Sequence, residues 1–328
     1  MGTWFSKRFD PVTDIPHLDG RIAIVTGANS GIGYQSALQL ASHGAKVYLT
    51  TRSEQKALDT IGRIERALPA LKGAGRLQAL TMELSSISSA KAAAEAFLKK
   101  ENRLDILINN AGTLASAYSE TPEGISTVIA ANHIGPFVFT TTLLPVLEAT
   151  AKLPGSDVRV VNVSSSQHSA PPYTTFSTLS DFKSLCGPEA GKDSFSRKMA
   201  RYGQSKLANI LFTKELQRRW DEAGVPAVTL AVHPGGVATE GSINFLGPLL
   251  FTLLKPFILT PLQGAITPLF AATAPVVKAE ATKWKASYLV PYGKVEVPSA
   301  NARDAEVASN LWALSEKTVG EVLKNGNV

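Results

Sequence analysis

The chain has 328 residues, 44% hydrophobic and 18% charged, with a net charge of +6 and a single cysteine, Cys186. This composition supplies ample core material for one large or two ordinary domains and excludes a disordered chain. One cysteine excludes an internal disulfide and fits a reducing, cytoplasmic setting; basic residues scattered without an aromatic-interleaved run argue against nucleic acid as a partner.

Strand and helix patterns alternate from residue 21 onward. Arg21–Thr26 reads as a short apolar strand, followed by glycines and an amphipathic stretch to His43. Ala45–Thr51 is a second strand and Ser53–Leu68 a helix. Further strands are expected at Leu77–Met82, Leu104–Asn109, Val158–Ser164, Ala227–His233 and, weakly, Ser287–Val290. Helices fit between them at Ser86–Lys100, Pro122–Thr150, Met199–Ala223 and Gln263–Ala272. Uniformly apolar strands separated by helices imply a parallel sheet covered on both faces, a doubly wound α/β Rossmann fold. No linker or composition break divides it, so residues 21–328 read as one domain behind an N-terminal extension, residues 1–20.

Chemistry first appears at Thr26-Gly-Ala-Asn-Ser-Gly-Ile-Gly33. Gly27, Gly31 and Gly33 allow a tight turn between strand and helix, where backbone N–H groups can approach a pyrophosphate. At the end of the second strand stand Thr50-Thr51-Arg52-Ser53, without a carboxylate before Glu54. Arg52 can pair with a ribose 2′-phosphate, which favours NADP(H) over NAD(H).

Tyr202 and Lys206 lie four residues apart in a helical stretch and so share one face. A lysine about 5 Å from a phenol, at an effective dielectric of about 20, favours the phenolate by roughly 3 kcal/mol, about two pKa units. That is the direction acid–base catalysis needs. The five histidines, His17, His43, His133, His168 and His233, show no metal-ligand spacing, so no metal is expected. Asn162-Val-Ser164 matches a glycosylation acceptor but sits in a buried-strand pattern and is discounted.

These features, with Asn109-Asn-Ala-Gly112, Asn132, Ser164-Ser165 and Pro234-Gly235 in that order, resemble the short-chain dehydrogenase/reductase family over residues 18 to 290. Val25–Tyr34, Asn132-His-Ile-Gly135 and Tyr202–Leu211 (YGQSKLANIL) most resemble its retinol dehydrogenases and WW-domain oxidoreductases. The resemblance implies that Tyr202 is the acid/base, Lys206 holds the nicotinamide ribose and depresses the tyrosine pKa, and Ser165 hydrogen-bonds the reacting oxygen. Ser164 and Ser166 remain as neighbours, with family spacing favouring the second serine. Asn132 would position a water in a relay from Lys206.

The remaining cofactor contacts implied are Asn29, Ser30 and Ile32 in the first turn; Glu83 and Leu84 near the adenine; Asn110, Ala111 and Gly112 at the adenosine ribose; and Pro234, Gly235, Val237 and Thr239 at the carboxamide. Glu83 stands where the family usually has Asp, which leaves its side-chain contact open.

Ser165 and Tyr202 are 37 positions apart, a wider gap than the family pattern. The added segment within residues 167–200, with Tyr173, Phe176, Phe182 and Phe195, reads as a wall of the substrate pocket or as a surface insertion. Residues 240–262 read as a substrate lid. Within them Phe245–Leu259 is too short and broken to span a bilayer, and its lack of carboxylates implies a lipophilic substrate of retinoid, steroid or terpenoid type. Met1–Ser6 fits the pattern for acylation of Gly2, with Lys7 and Arg8 adjoining, so a peripheral membrane contact is allowed; Trp4 and Phe5 equally suit packing on the domain.

The expected activity is NADP(H)-dependent interconversion of a carbonyl and an alcohol. A nucleotide-binding interaction protein without turnover, or a double-bond reductase, are the rival readings. Homo-oligomerisation through Pro122–Thr150 and Met199–Ala223 is a further family implication, which the added segment could block.

Overall fold

The computed structural model describes residues 9–114, 116–187, 193–238 and 258–325. Eight strands form one sheet: β1 (Ile22–Thr26), β2 (Lys46–Thr51), β3 (Leu77–Thr81), β4 (Ile106–Asn109), β5 (Val158–Val163), β6 (Ala227–Val232), β7 (Tyr288–Val290) and β8 (Lys294–Glu296). Their order is β3-β2-β1-β4-β5-β6-β7-β8. All pairings are parallel except β7 with β8, which is antiparallel. The expected parallel sheet therefore ends in one reversed edge strand. All three β8 residues are exposed, so no apolar run marks it in the sequence.

Seven longer helices cover the sheet among the described residues: α1 (Gly31–Ser42), α2 (Glu54–Ala67), α3 (Ile87–Leu98), α4 (Thr127–Ala151), α5 (Phe195–Glu222), α6 (Pro261–Thr273) and α7 (Ala305–Asn325). Leu40, Val161, Leu269 and Trp284 belong to the apolar layer on the α1 and α6 face. Phe97, Leu143, Leu207 and Trp312 belong to the layer on the α3, α4 and α5 face. The order in which strands are added reverses between β1 and β4, which opens a crevice at the carboxyl ends of the strands.

Two helical boundaries differ from the sequence reading. α4 begins at Thr127 rather than Pro122 and carries a π turn over Ala130–Ile134. α5 begins at Phe195 because the Ser194 side chain caps it, accepting from the Arg197 N–H. The added segment is a short 3-10 turn at Ser166–Ser169, a one-turn helix at Leu179–Phe182 and the first turn of α5. Phe176 and Phe182 are fully buried in the α4 and α5 layer, while Tyr173 and Phe195 are exposed. The two buried phenyls anchor the segment to the core rather than facing a pocket.

α4 is long and apolar enough to cross a membrane, but 67% of its most apolar window is buried within the domain, as befits a core helix. The largest departure from the sequence reading is α7. It lies across α5 and α4 and covers the face named for oligomerisation. The Trp312 ring stacks on Phe212 with centroids 5.7 Å apart, meets Phe137 at 5.1 Å and takes the Arg219 guanidinium 4.2 Å from its centroid. His133 Nε2 lies 2.8 Å from Ser315 Oγ. Trp312→Ala is expected to lower stability by about 3–5 kcal/mol through the cavity it leaves, read as a shifted urea midpoint.

Candidate active site

The site is assembled where α5 meets the end of β5. Ser164 Oγ donates to the Lys206 carbonyl at 2.7 Å, and Lys206 Nζ donates to the Val163 carbonyl at 3.0 Å. Asn209 Nδ2 donates to the same Val163 oxygen, also at 3.0 Å. Gly203 permits the close contact, because a Cβ there would overlap the Gln167 carbonyl and come within 3.0 Å of Pro171 Cδ. With helix and serine turn this close, Ser165 stands near enough to the Tyr202 phenol to draw its titration down. Lys206 is buried, with Nζ 5.6 Å from the Tyr202 ring centroid, and Tyr202 itself is only partly buried.

The two adjacent serines thus separate in role. Ser164 is turned inward to the helix backbone, while Ser165 faces Tyr202 and caps the 3-10 turn by accepting from the Gln167 N–H at 3.2 Å.

The expected electrostatics are reversed. Burial pushes the Tyr202 phenol up to about 12, against a smaller opposing influence from neighbouring Ser165. Burial also pushes Lys206 down to about 8. Desolvation, which the charge argument from sequence leaves out, sets the direction of both shifts. The phenol therefore holds its proton through neutral pH, the state from which it can donate.

Asn132 lies in the π turn of α4, fully buried. Its Oδ1 accepts from the Thr113 N–H at 2.7 Å, and its Nδ2 donates to the Thr113 carbonyl and to Ser205 Oγ, each at 2.9 Å. Both amide hydrogens are thus committed to protein partners, so any water on this side chain could reach only the remaining oxygen lone pair. A Cβ on Gly112 would lie 3.0 Å from Asn132 Oδ1 and 3.3 Å from Lys206 Nζ, which puts Gly112 beside both.

The glycine turn joins β1 to α1 as expected. Among its residues, Gly33 is the most constrained: a Cβ would overlap the Gly27 carbonyl and lie 2.6 Å from Asn110 Nδ2. The Ser30 side chain makes no capping bond to α1, so the first-turn N–H groups around Gly31 and Ile32 have no side-chain cap. That arrangement fits the pyrophosphate of a dinucleotide. Asn110 Nδ2 donates to the Thr26 carbonyl at 2.8 Å, and the Asn110 and Ala111 N–H groups donate to Thr26 Oγ1 at 3.0 and 2.9 Å. These residues shape the floor of the crevice.

Arg52 is exposed and pairs with no carboxylate among the described residues. Arg63 of α2, not singled out by the sequence, donates to the Asn29 carbonyl at 2.9 Å and stacks 4.5 Å over Tyr34. A lone arginine on a helix face gave no signal of that contact. Glu83 is turned to its own loop, its Oε1 accepting from the Ser85 N–H at 3.1 Å and the Ser85 hydroxyl at 2.9 Å, beside buried Leu84.

Pro234, Gly235 and Val237 follow β6. The Val237–Leu259 bridge joins the two ends of the expected lid. Thr239 and residues 240–257 of the lid lie outside the described residues, as do Gly2 and its neighbours.

A family model described as short chain dehydrogenase matches residues 21–178. The chain is 42% identical to the short chain dehydrogenase/reductase dpchH of Colletotrichum higginsianum, over 97% of this chain and 78% of that one. It is 36% identical to dehydrogenase/reductase SDR family member 13 of Homo sapiens, over 94% and 76% of the two chains. A crystal structure of an uncharacterized protein from Mycobacterium paratuberculosis matches with a TM-score of 0.70 and 30% identity, covering 95% of this chain and 98% of that one. Solved structures of the same fold hold NADH in one case and NADP in another. Fold and relatives define an oxidoreductase of the dehydrogenase/reductase type. The chain belongs to the short-chain dehydrogenase/reductase family.

Substituting the two serines separates their roles. Ser164→Ala should cost roughly 1 kcal/mol in urea unfolding and keep turnover, whereas Ser165→Ala should lower kcat on the order of 100- to 1000-fold.

Proposed function

We propose that the protein interconverts a carbonyl and an alcohol on a lipophilic molecule, using NADP(H). The observation that carries this reading is the Tyr202 phenol beside Ser165, one helical turn before the buried Lys206. NADP(H), when bound, supplies or accepts the hydride at the substrate carbon. In the reducing direction Tyr202 gives its proton to the carbonyl oxygen, and Ser165 Oγ hydrogen-bonds that oxygen as negative charge develops on it. The Lys206 ammonium then stabilises the phenolate left behind until a proton returns. In oxidation the same groups run in reverse.

Glycines 27, 31 and 33 with Asn29, Ser30 and Ile32 would hold the pyrophosphate end of the cofactor. Lys206 would border its nicotinamide ribose, and Asn110, Ala111 and Gly112 its adenosine ribose. Pro234, Gly235 and Val237 would border the carboxamide.

Exposed Arg52, with no acid at positions 50–53, supports the 2′-phosphate preference. The lipophilic substrate class is supported by the carboxylate-free composition of Phe245–Leu259. Since α7 covers the α4 and α5 face, any homo-oligomer would form through another surface.

Tyr202→Phe should abolish NADPH-linked reduction of hydrophobic aldehydes and ketones while calorimetric NADPH binding persists; undiminished turnover in that variant would refute the assignment. Arg52→Glu should raise the Kd for NADPH roughly 10- to 100-fold, the loss of one charge-assisted phosphate contact, and leave NADH binding unimpaired. Equal loss for both nucleotides would place Arg52 outside phosphate recognition.

A further inference from the structure

We propose that His168 is a positioning residue for Ser165, bracing the serine peptide against the C-terminal segment at Ser299. This inference rests on the catalytic reading of Ser165 and adds to it a support from the far end of the chain.

His168 is buried in the 3-10 turn that follows the serine. Its Nδ1 lies 2.8 Å from the Ser165 carbonyl, and its Nε2 lies 3.0 Å from the backbone nitrogen of Ser299. A carbonyl can only accept and a backbone N–H can only donate, so one tautomer satisfies both contacts: neutral imidazole with the proton on Nδ1. An imidazolium would turn a second N–H against that of Ser299.

The Ser165 carbonyl also accepts from the His168 backbone N–H at 3.1 Å. Two donors from one residue therefore fix the peptide that carries the serine into the turn. The imidazole is itself fixed by an edge contact with Tyr288, ring centroids 4.9 Å apart. Burial lowers its titration, against the opposing pull of its bond to the Ser165 carbonyl and of Glu296. Burial lowers the titration of nearby His233, with His168 a smaller contributor in the same direction.

Two further bonds lace the same pair of segments together. Asn301 Nδ2 donates to the Thr174 carbonyl at 3.1 Å, and the exposed Tyr173 hydroxyl donates to Asp304 Oδ2 at 3.0 Å. Of the three links, only the histidine reaches the catalytic serine. Its partner Ser299 lies 131 positions later, well beyond the residues 21–178 matched by the family model.

The test compares His168→Ala, His168→Asn and His168→Gln with the wild type, using NADPH with all-trans-retinal and with progesterone. Asparagine can place an amide donor where Nδ1 stands, and glutamine can place an acceptor where Nε2 stands. His168→Ala should lower kcat roughly 10- to 100-fold with the KM for NADPH changed by no more than about twofold, and His168→Asn should recover most of kcat.

In the cofactor-free protein, nitrogen-15 NMR of labelled histidine should show the proton on Nδ1 of His168. Hydrogen exchange at the Ser299 amide should be slow in wild type and His168→Gln and fast in His168→Ala. An unchanged kcat in a folded His168→Ala variant, parallel losses in kcat and NADPH affinity, or a proton on Nε2 would overturn the proposal. If the wild type turns over neither probe, or Tyr202→Phe stays active, the functional reading fails instead, and the two NMR measurements still decide the brace.

Discussion

One backbone carbonyl, that of Val163 at the end of the central strand, receives the buried ammonium of Lys206 and the amide of Asn209 together. Around it Ser164 ties the strand end back to the helix, and the missing side chain of Gly203 lets the serine turn close in. These contacts set α5 against the end of β5 and so bring Tyr202 beside Ser165. Keeping the lysine there has a cost: lowering an amine from 10.5 to about 8 corresponds to roughly 3 kcal/mol of unfavourable burial at neutral pH. Two apolar layers, one on each sheet face, offset it.

The architecture divides its work by face. On one side of the sheet, α1 and α6 pack behind the glycine turn, and fully buried Arg159 of β5 binds the carbonyls of Ala271 and Ala274 at the end of α6. On the other, α4 and α5 supply Asn132, Tyr202 and Lys206. The crevice between β1 and β4 is where the two meet, which is why Gly112, on the loop after β4, lies against both Asn132 and Lys206.

Much of this was legible in the sequence. The parallel strands announced themselves because each is apolar over nearly its full length, and the glycine turn because it stands between a strand and a helix. What escaped reading did so for identifiable reasons. β8 is short and wholly exposed, so it has no hydrophobic signature. The tyrosine pKa was argued from its charged neighbour, whereas desolvation, which depends on three-dimensional packing, decides its direction. The π turn at Asn132 has no periodicity of its own. His168 looked like a histidine without metal partners, and the Ser299 N–H it faces is a backbone group that no motif records. The motifs that carry the family resemblance reach only to about residue 290, so α7 has no motif to announce it although it completes a core layer.

That last helix also bears on how the molecule is made. Trp312 and Leu311 are buried against α4 and α5, yet they emerge from the ribosome after nearly everything they cover. Until α7 has been made, the nascent chain carries Phe137 and Phe212 without their indole lid. Termination ahead of α7 would therefore leave a greasy strip along the very helix that bears Tyr202, a surface for chaperones and for aggregation alike.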